Sequence, residues 1–120
     1  MKAVRIHSHG NSDVLSIDDI SEPICGPQQV IIEMKAWALN HLDLWVRKGF
    51  GNKNALELPL ILGSDGSGFI VEKGSKVKEW DSGDEVVIQP GLINDVDKSY
   101  FGHENLSNKY GILGETHNGV

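Results

Sequence analysis

The chain has 120 residues, 39% hydrophobic and 23% charged, which is the composition of one ordinary globular domain. Its net charge of −6 argues against nucleic-acid and anionic-membrane partners, because phosphate groups would be repelled. A single cysteine, Cys25, excludes an intramolecular disulfide and an all-cysteine zinc site. The N-terminus has no apolar signal region and no apolar run reaches membrane-spanning length, so we expect a cytoplasmic protein.

The first third of the chain predicts three strands. Residues 2–6 and 14–20 have strand composition and are separated by a polar turn, and residues 30–40 form the clearest alternating pattern. One face of this third strand is predicted to hold Val30, Ile32, Met34, Ala36 and Ala38. Its length is that of a central strand bending around a barrel.

Residues 40–49 change to a helical period. Asn40 is a suitable N-cap, Asp43 is acidic in the first turn, Arg47 is basic in the last turn, and Gly49 is a C-terminal stop. Because these local signals agree, we predict a short helix. Its apolar face comprises Leu42, Trp45 and Val46.

The remaining pattern predicts further short strands joined by turns. Residues 58–62 are strand-like, residues 68–75 form a strand followed by a turn, and residues 80–90 form a turn followed by a strand that Pro90 ends. Residues 91–120 are rich in loop residues and have no sustained period. Together these elements predict a mainly β, barrel-like domain with an inserted helix.

The stretch "LILGSDGSGFIVEKG" (60–74) raises the question of a phosphate-binding loop. A dinucleotide fingerprint requires a helix after its glycines, and here a strand pattern follows Gly63, Gly66 and Gly68. The GK[ST] sequence of a P-loop is also missing. We therefore predict that these glycines let a strand turn a corner and let another backbone pass close by.

Three motifs in order, "ALNHLDLWVRKG", "LPLILGSDGSGFIVEKGSKVKEWDSGDEVVIQPG" and "NLSNKYGILGE", resemble the N-terminal GroES-like domain of the medium-chain dehydrogenase/reductase superfamily. The turn "VKEWDSGDEV", with Gly83 and Asp84, is similar to that superfamily's V-x-x-F-x-x-G-D-x-V signature. The resemblance covers nearly the whole chain. It implies a partly open GroES-like β-barrel, α+β by some schemes, over residues 1–120.

In the zinc alcohol dehydrogenases of this superfamily, a cysteine and a histidine bind the catalytic zinc. The resemblance matches the cysteine to Asn40, the histidine to Ser64 and the adjacent glutamate to Asp65. The hydroxyl residue that relays protons matches Leu42. Asn and Ser are not usual zinc ligands, so we predict that no catalytic zinc is bound.

A second, structural zinc is held by four cysteines in some members. The matching region has no cysteine, so we predict that this zinc is absent too. The "GHE" at 102–104 imitates the catalytic motif and is interpreted as chance. The positions nearest the four cysteines are Asn94, Asp97, Tyr100 and Ser107.

The pattern Asn40, Asp43, Trp45 resembles the zinc-free quinone oxidoreductases, in which a nicotinamide cofactor reduces a conjugated carbonyl. The resemblance implies that Asn40 donates a hydrogen bond near the nicotinamide or substrate oxygen, with Asp65 as a second catalytic candidate. Trp45, Ser64 and Leu42 would line the substrate pocket. Asp43, Gly63, Gly66, Gly68, Gly83 and Asp84 are predicted to be structural.

His41 has two interpretations. Its position in the superfamily often faces the cofactor pyrophosphate, and a solvent-facing residue in the first turn of a helix is the alternative.

Superfamily members bind NAD(P)(H) through a Rossmann domain, and no such pattern is seen here. We therefore expect the chain to be the truncated catalytic half of an oxidoreductase, inactive alone and oligomeric, dimer or tetramer, as a full-length protein. The expected substrate is a small carbonyl, quinone or enone. Two alternatives stay open: a zinc-dependent alcohol dehydrogenase with altered ligands, and a stand-alone GroES-like binding module.

Overall fold

The computed structural model describes residues 1–50, 57–93, 107 and 109–120. In chain order these residues form β1 (Lys2–Ile6), a 3₁₀ turn (Ser12–Val14), β2 (Leu15–Asp19), β3 (Val30–Ala38), α1 (His41–Arg47), β4 (Leu60–Ile61), β5 (Asp65–Lys73), β6 (Glu85–Val87), β7 (Gly91–Ile93) and β8 (Tyr110–Ile112). The described strands lie in three antiparallel sheets, ordered β2-β1-β4, β3-β5-β6 and β7-β8. The mainly β class is confirmed, and within the described ranges the strands do not close into a barrel. No helix of this part of the chain has the length and apolar character needed to cross a bilayer.

The first sheet and the helix share one small core. Ile6 of β1 lies opposite Leu60 of β4, and both side chains are almost fully buried against Val46 of α1. Burying a large aliphatic side chain stabilises a fold by about 1.5–3 kcal/mol, so these contacts fix the helix on the sheet. The surrounding partly buried residues are Val14, Leu42, Leu58 and Leu62.

The two ends of α1 are held by specific hydrogen bonds. Asn40 occupies the N-cap, and its backbone N–H donates to the carboxylate of Asp43 in the first turn. At the other end, Gly10 N–H donates to the carbonyl of Arg47 at 2.9 Å, and Gly49 has a φ of +85° that suits glycine. The predicted helix and both of its end signals are confirmed.

Two predictions about the second sheet are wrong. Strand β5, not β3, lies in the centre of the described sheet, and β5 begins at Asp65 rather than at Gly68. The alternation of β3 is interrupted by register shifts between Ile31 and Ile32 and between Met34 and Ala36. These bulges break the single apolar face that simple alternation predicts.

Two glycines of β5 lie where any side chain would overlap the neighbouring strand β3. A Cβ on Gly68 would overlap the backbone carbonyl of Glu33, and a Cβ on Gly66 would overlap the terminal methyl of Met34. The predicted close approach of another backbone is therefore confirmed at Gly68. Strand β3 passes so near that no side chain fits between the two chains.

The C-terminal region contains more order than its loop-like composition predicts. Strands β7 and β8 pair as a short antiparallel sheet, with Leu92 opposite Gly111. The segment that follows β8 then returns to β4, where Gly119 N–H donates to the carbonyl of Ile61 at 2.9 Å. The predictions for Asn94, Asp97, Tyr100 and the "GHE" at 102–104 lie outside the described residues.

A polar cluster on β1 and β2 gives the fold a pH dependence. The hydrogen bond from His7 Nε2 to Asp18, at 2.7 Å, lowers the pKa of the Asp18 carboxyl below its ordinary value of 3.8, with Ser16 and the charges of His7 and Arg5 adding to the effect against the opposing desolvation. A carboxyl with a lowered pKa contributes stability above its unfolded pKa, and this contribution is lost as pH falls through its folded pKa.

We therefore expect the free energy of unfolding of the wild-type protein to fall on acidification below about pH 4 more steeply than that of Asp18→Asn. Urea unfolding at a series of acidic pH values measures both slopes. Equal slopes in the two proteins would contradict the role assigned to this carboxylate.

Candidate functional site

Two strand ends meet at one place in the second sheet. Strand β3 runs antiparallel to β5, with Ala38 at the end of β3 opposite Asp65 at the start of β5. Asn40 follows β3 by two residues and begins α1, and Ser64 directly precedes β5. The register therefore brings Asn40 next to Ser64 and Asp65, although they are more than twenty residues apart in sequence.

The Asn40 side chain is the centre of this cluster. Its amide nitrogen Nδ2 donates to Asp65 Oδ2 at 2.9 Å and lies 3.5 Å from Ser64 Oγ. Ser64 is buried, whereas Asn40 and Asp65 are half-buried. An asparagine amide has two N–H donors, and here the short bond to Asp65 and the long contact to Ser64 together orient the amide group.

Asp43 joins the helix start to the turn before β5. Its Oδ2 accepts the backbone N–H of Asn40 at 2.7 Å, and its Oδ1 accepts the backbone N–H of Gly63 at 3.0 Å. The Asp43 side chain is buried, at 6% exposed. The predicted bracing of the helix start is therefore visible as hydrogen bonds, and the bond to Gly63 extends it to a second segment.

Gly63 is held from its other side by the last described residues. Its φ is +102°, a conformation in which a side chain is strained, and its carbonyl accepts the N–H of Val120 at 3.2 Å. Gly119 packs so closely that a Cβ there would overlap the carbonyl of Gly63. This contact could not be predicted from the sequence, since residues far apart in the chain leave no local pattern when they pair.

The remaining predicted pocket residues fall on different sides of α1. The exposed imidazole of His41 lies 6.1 Å from the ring of Trp45, itself 54% exposed, so the two rings present an open aromatic surface. Leu42 instead packs against the core formed by Ile6, Val46 and Leu60. The predicted apolar face of α1 is therefore wrong at Trp45: Leu42 and Val46 pack on the core, whereas Trp45 faces outward.

The other predicted structural residues belong to the turn before β6 and to strand β5. Gly83 has a φ of +100° with open space around it, and Asp84 Oδ2 accepts the N–H of Asp81 at 2.8 Å in the turn before β6. Gly66 and Gly68 line the contact between β5 and β3.

A groove of about 340 Å³ lies on the second sheet and includes one of the predicted site residues, Gly68. Its walls are Lys35, Ser67, Gly68, Phe69, Glu85, Val86 and Val87.

The donor set of the cluster does not suit zinc. Zinc sites use cysteine, histidine and carboxylate ligands, and this cluster offers one carboxylate with an amide and a hydroxyl. The Asn40 amide also turns an N–H, not its oxygen, toward Asp65. Among residues 1–50, 57–93, 107 and 109–120, no three His, Cys, Asp or Glu side chains are grouped so that they could hold a metal ion. We derive no chemistry through zinc at this position.

Comparisons with known proteins agree on one family. The model of the alcohol dehydrogenase GroES-like domain matches residues 26–120. Sorbitol dehydrogenase of sheep (Ovis aries) is 32% identical over 100 residues, which cover 82% of this chain and 28% of that enzyme. The chain thus spans roughly a quarter of the length of the curated relatives it matches.

Solved structures show the same relationship. A crystal structure of an NAD-dependent alcohol dehydrogenase matches with a TM-score of 0.91 and 44% identity, over 100% of this chain and 35% of the other. The quinone oxidoreductase of Escherichia coli complexed with NADPH matches with a TM-score of 0.67 and 29% identity, over 72% of this chain and 26% of the other.

Proposed function

Because this chain belongs to the alcohol dehydrogenase GroES-like domain family of the medium-chain dehydrogenase/reductase superfamily, we propose that it forms the substrate side of a zinc-free, nicotinamide-dependent oxidoreductase. The substrate class we propose is a small carbonyl, quinone or enone. The observation that supports this most directly is the hydrogen bond of Asn40 Nδ2 to Asp65 Oδ2, beside the buried Ser64.

The chemistry requires a hydrogen-bond donor at the substrate oxygen. When a nicotinamide is bound, it supplies the hydride, and negative charge then develops on the oxygen of the carbonyl or enone. We propose that one N–H of Asn40 keeps its bond to Asp65 and that the other donates to this oxygen in place of its long 3.5 Å contact with Ser64 Oγ. A fixed donor aimed at developing charge needs no reorganisation during the reaction, which is why such donors have large effects on rate.

The neighbours of Asn40 have distinct proposed roles. Asp65 holds the amide in one orientation, and the buried Ser64 supplies a hydroxyl oxygen 3.5 Å from Asn40 Nδ2. Trp45 provides an apolar wall on the exposed side of α1, whereas Leu42 packs against the core and has no proposed role in the pocket. His41 is the residue of this chain that we propose to approach the cofactor.

The dinucleotide itself needs residues beyond this cluster. Parallel βαβ units hold its pyrophosphate in many proteins, and the described sheets are antiparallel. We propose that a Rossmann domain supplies this binding and that the whole protein is a dimer or tetramer in the cytoplasm. The cleft shared by the two domains would then exclude water from the reaction.

The test is NAD(P)H oxidation by the natural protein with a quinone, an enone and an aldehyde. We expect at least one of these to be reduced well above the rate in buffer, with hydrogen from the C4 position of the nicotinamide appearing in the product. Absence of transfer to all three acceptors, in a folded protein that binds the cofactor, would contradict the proposal.

One observation favours a second candidate, an alcohol dehydrogenase. The structure of the NAD-dependent alcohol dehydrogenase shares more identical residues with this chain than that of the quinone oxidoreductase does. An alcohol with NAD⁺ therefore belongs in the same assay. Oxidation of the alcohol that depends on bound zinc would favour this candidate over the zinc-free reductase.

A further inference from the structure

Asp43 is a buried carboxylate whose two oxygens are bonded to two different parts of the chain. Oδ2 accepts the N–H of Asn40 and Oδ1 accepts the N–H of Gly63, the residue directly before Ser64. We propose that Asp43 is a positioning residue that sets the distance between Asn40 and Asp65. This inference rests on the proposed function of that pair.

A helix cap alone does not account for both bonds. A carboxylate in the first turn completes its capping role by accepting the N–H of the N-cap residue, which here is Asn40. The bond to Gly63 leaves the helix and serves the turn before β5. The Asp43 carboxylate thus bonds to both of the segments that meet at the site.

The turn at Gly63 needs such a restraint. Glycine has no side chain to limit its backbone, and a φ of +102° is one of several conformations open to it. Asp43 holds its N–H, and Val120 holds its carbonyl from the other side. Fixing this turn also fixes the adjacent Ser64 and Asp65.

Loss of the Asp43 carboxylate should displace the Asn40 amide and lower the rate of hydride transfer. Hydrogen bonds to a carboxylate are among the stronger ones in proteins, and leaving buried N–H groups without acceptors is costly. In Asp43→Asn the side chain keeps one acceptor oxygen, and its NH₂ group faces a backbone N–H. A displacement of about 1 Å at a reacting group costs on the order of 100-fold in rate, so the effect should be measurable.

The first measurement reads the position of Asn40 without any activity. The two protons of any asparagine side-chain amide have separate shifts, because rotation about its C–N bond is slow. In the ¹⁵N-labelled natural protein we expect the shifts of the Asn40 pair to differ from those of a free amide, because one proton is bonded to Asp65. In Asp43→Asn these shifts should move toward those of a free amide. The matched control is Asp84→Asn, which removes another carboxylate that accepts a backbone N–H and should leave them unchanged.

The second measurement is a kinetic double-mutant cycle. We expect Asp43→Asn to lower kcat roughly 10- to 100-fold with a smaller change in KM. In the Asn40→Ala background the same substitution should cost less than about threefold, because both changes affect one hydrogen bond. Fully multiplicative losses, or unchanged Asn40 amide shifts in a folded Asp43→Asn protein, would overturn the proposal.

The two measurements separate this inference from the proposed function. A wild-type protein without hydride transfer refutes the function, and the amide shifts still decide the role of Asp43. If Asp43→Asn does not fold, Asp43→Glu replaces it, since it keeps both oxygens and moves them by one methylene. The same displaced shifts and lowered kcat are expected, and wild-type values of both would overturn the proposal.

Discussion

Asn40→Ala is expected to lower kcat for hydride transfer by roughly 100- to 1000-fold, the effect of removing one preorganised donor from a developing oxyanion. The substitution deletes the amide that Asp65 holds at 2.9 Å and leaves the backbone N–H that Asp43 binds. KM should change far less, because the bond is made most strongly when charge develops on the substrate oxygen. Steady-state kinetics of the natural protein with its best acceptor measures both constants.

The control for this prediction is Asn11→Ala. Asn11 also stands at an N-cap, before the 3₁₀ turn, and its side chain makes no capping hydrogen bond. Its activity should equal that of the wild type. A loss of kcat below tenfold in Asn40→Ala, in a protein with unchanged melting temperature, would contradict the donor role of Asn40.

Gly68→Ala is expected to destabilise the domain by roughly 3 kcal/mol, the upper part of the range for overpacked sites. The new Cβ would overlap the carbonyl of Glu33 in the neighbouring strand, and a backbone carbonyl in a paired sheet has no free direction in which to move. Because whole domains are stable by only about 5–15 kcal/mol, this is a large fraction of the total. Urea unfolding measures the loss.

Gly66→Ala is the matched control for Gly68→Ala. It places the same methyl group two residues away on the same strand, where the overlapping atom is the end of the Met34 side chain. Methionine has three rotatable bonds and adapts readily, so we expect a clearly smaller loss. Equal losses for the two variants would contradict the account of β5 as a strand packed against a backbone.

Local signals in the sequence predicted the helix well. Asn40, Asp43 and Gly49 each act within one turn of the helix end that they define, so their roles can be read from the sequence. The same periodicity also shows that Leu42 and Val46 share a face, and both side chains contact the core. Helical spacing therefore favoured a core position for Leu42, whereas the family resemblance placed it in the substrate pocket.

Contacts between distant residues could not be predicted in this way. The start of β5 at Asp65 depends on pairing with Ala38, because glycines such as Gly66 have little strand propensity of their own. The bond of Ile61 N–H to the side chain of Asn118 joins residues 57 positions apart. Neither contact leaves a periodic signal, so the loop-like composition of the C-terminal region concealed its order.

The candidate site was predicted through resemblance rather than pattern. Asn40, Ser64 and Asp65 have no special spacing, and only their match to superfamily positions indicated that they would meet. The structure brings them together. The second bond of Asp43, to Gly63, was not predicted, since it depends on how close α1 comes to the turn before β5.

Zinc content tests most directly whether the site built around Asn40 works without a metal. It is measured by plasma mass spectrometry on the same sample of the natural protein whose NAD(P)H-dependent activity is assayed. A site built from Asn40, Ser64 and Asp65 predicts full activity with zinc far below one ion per chain. One tightly bound zinc per chain, lost together with activity in an Asn40→Ala and Asp65→Ala double variant, would contradict it.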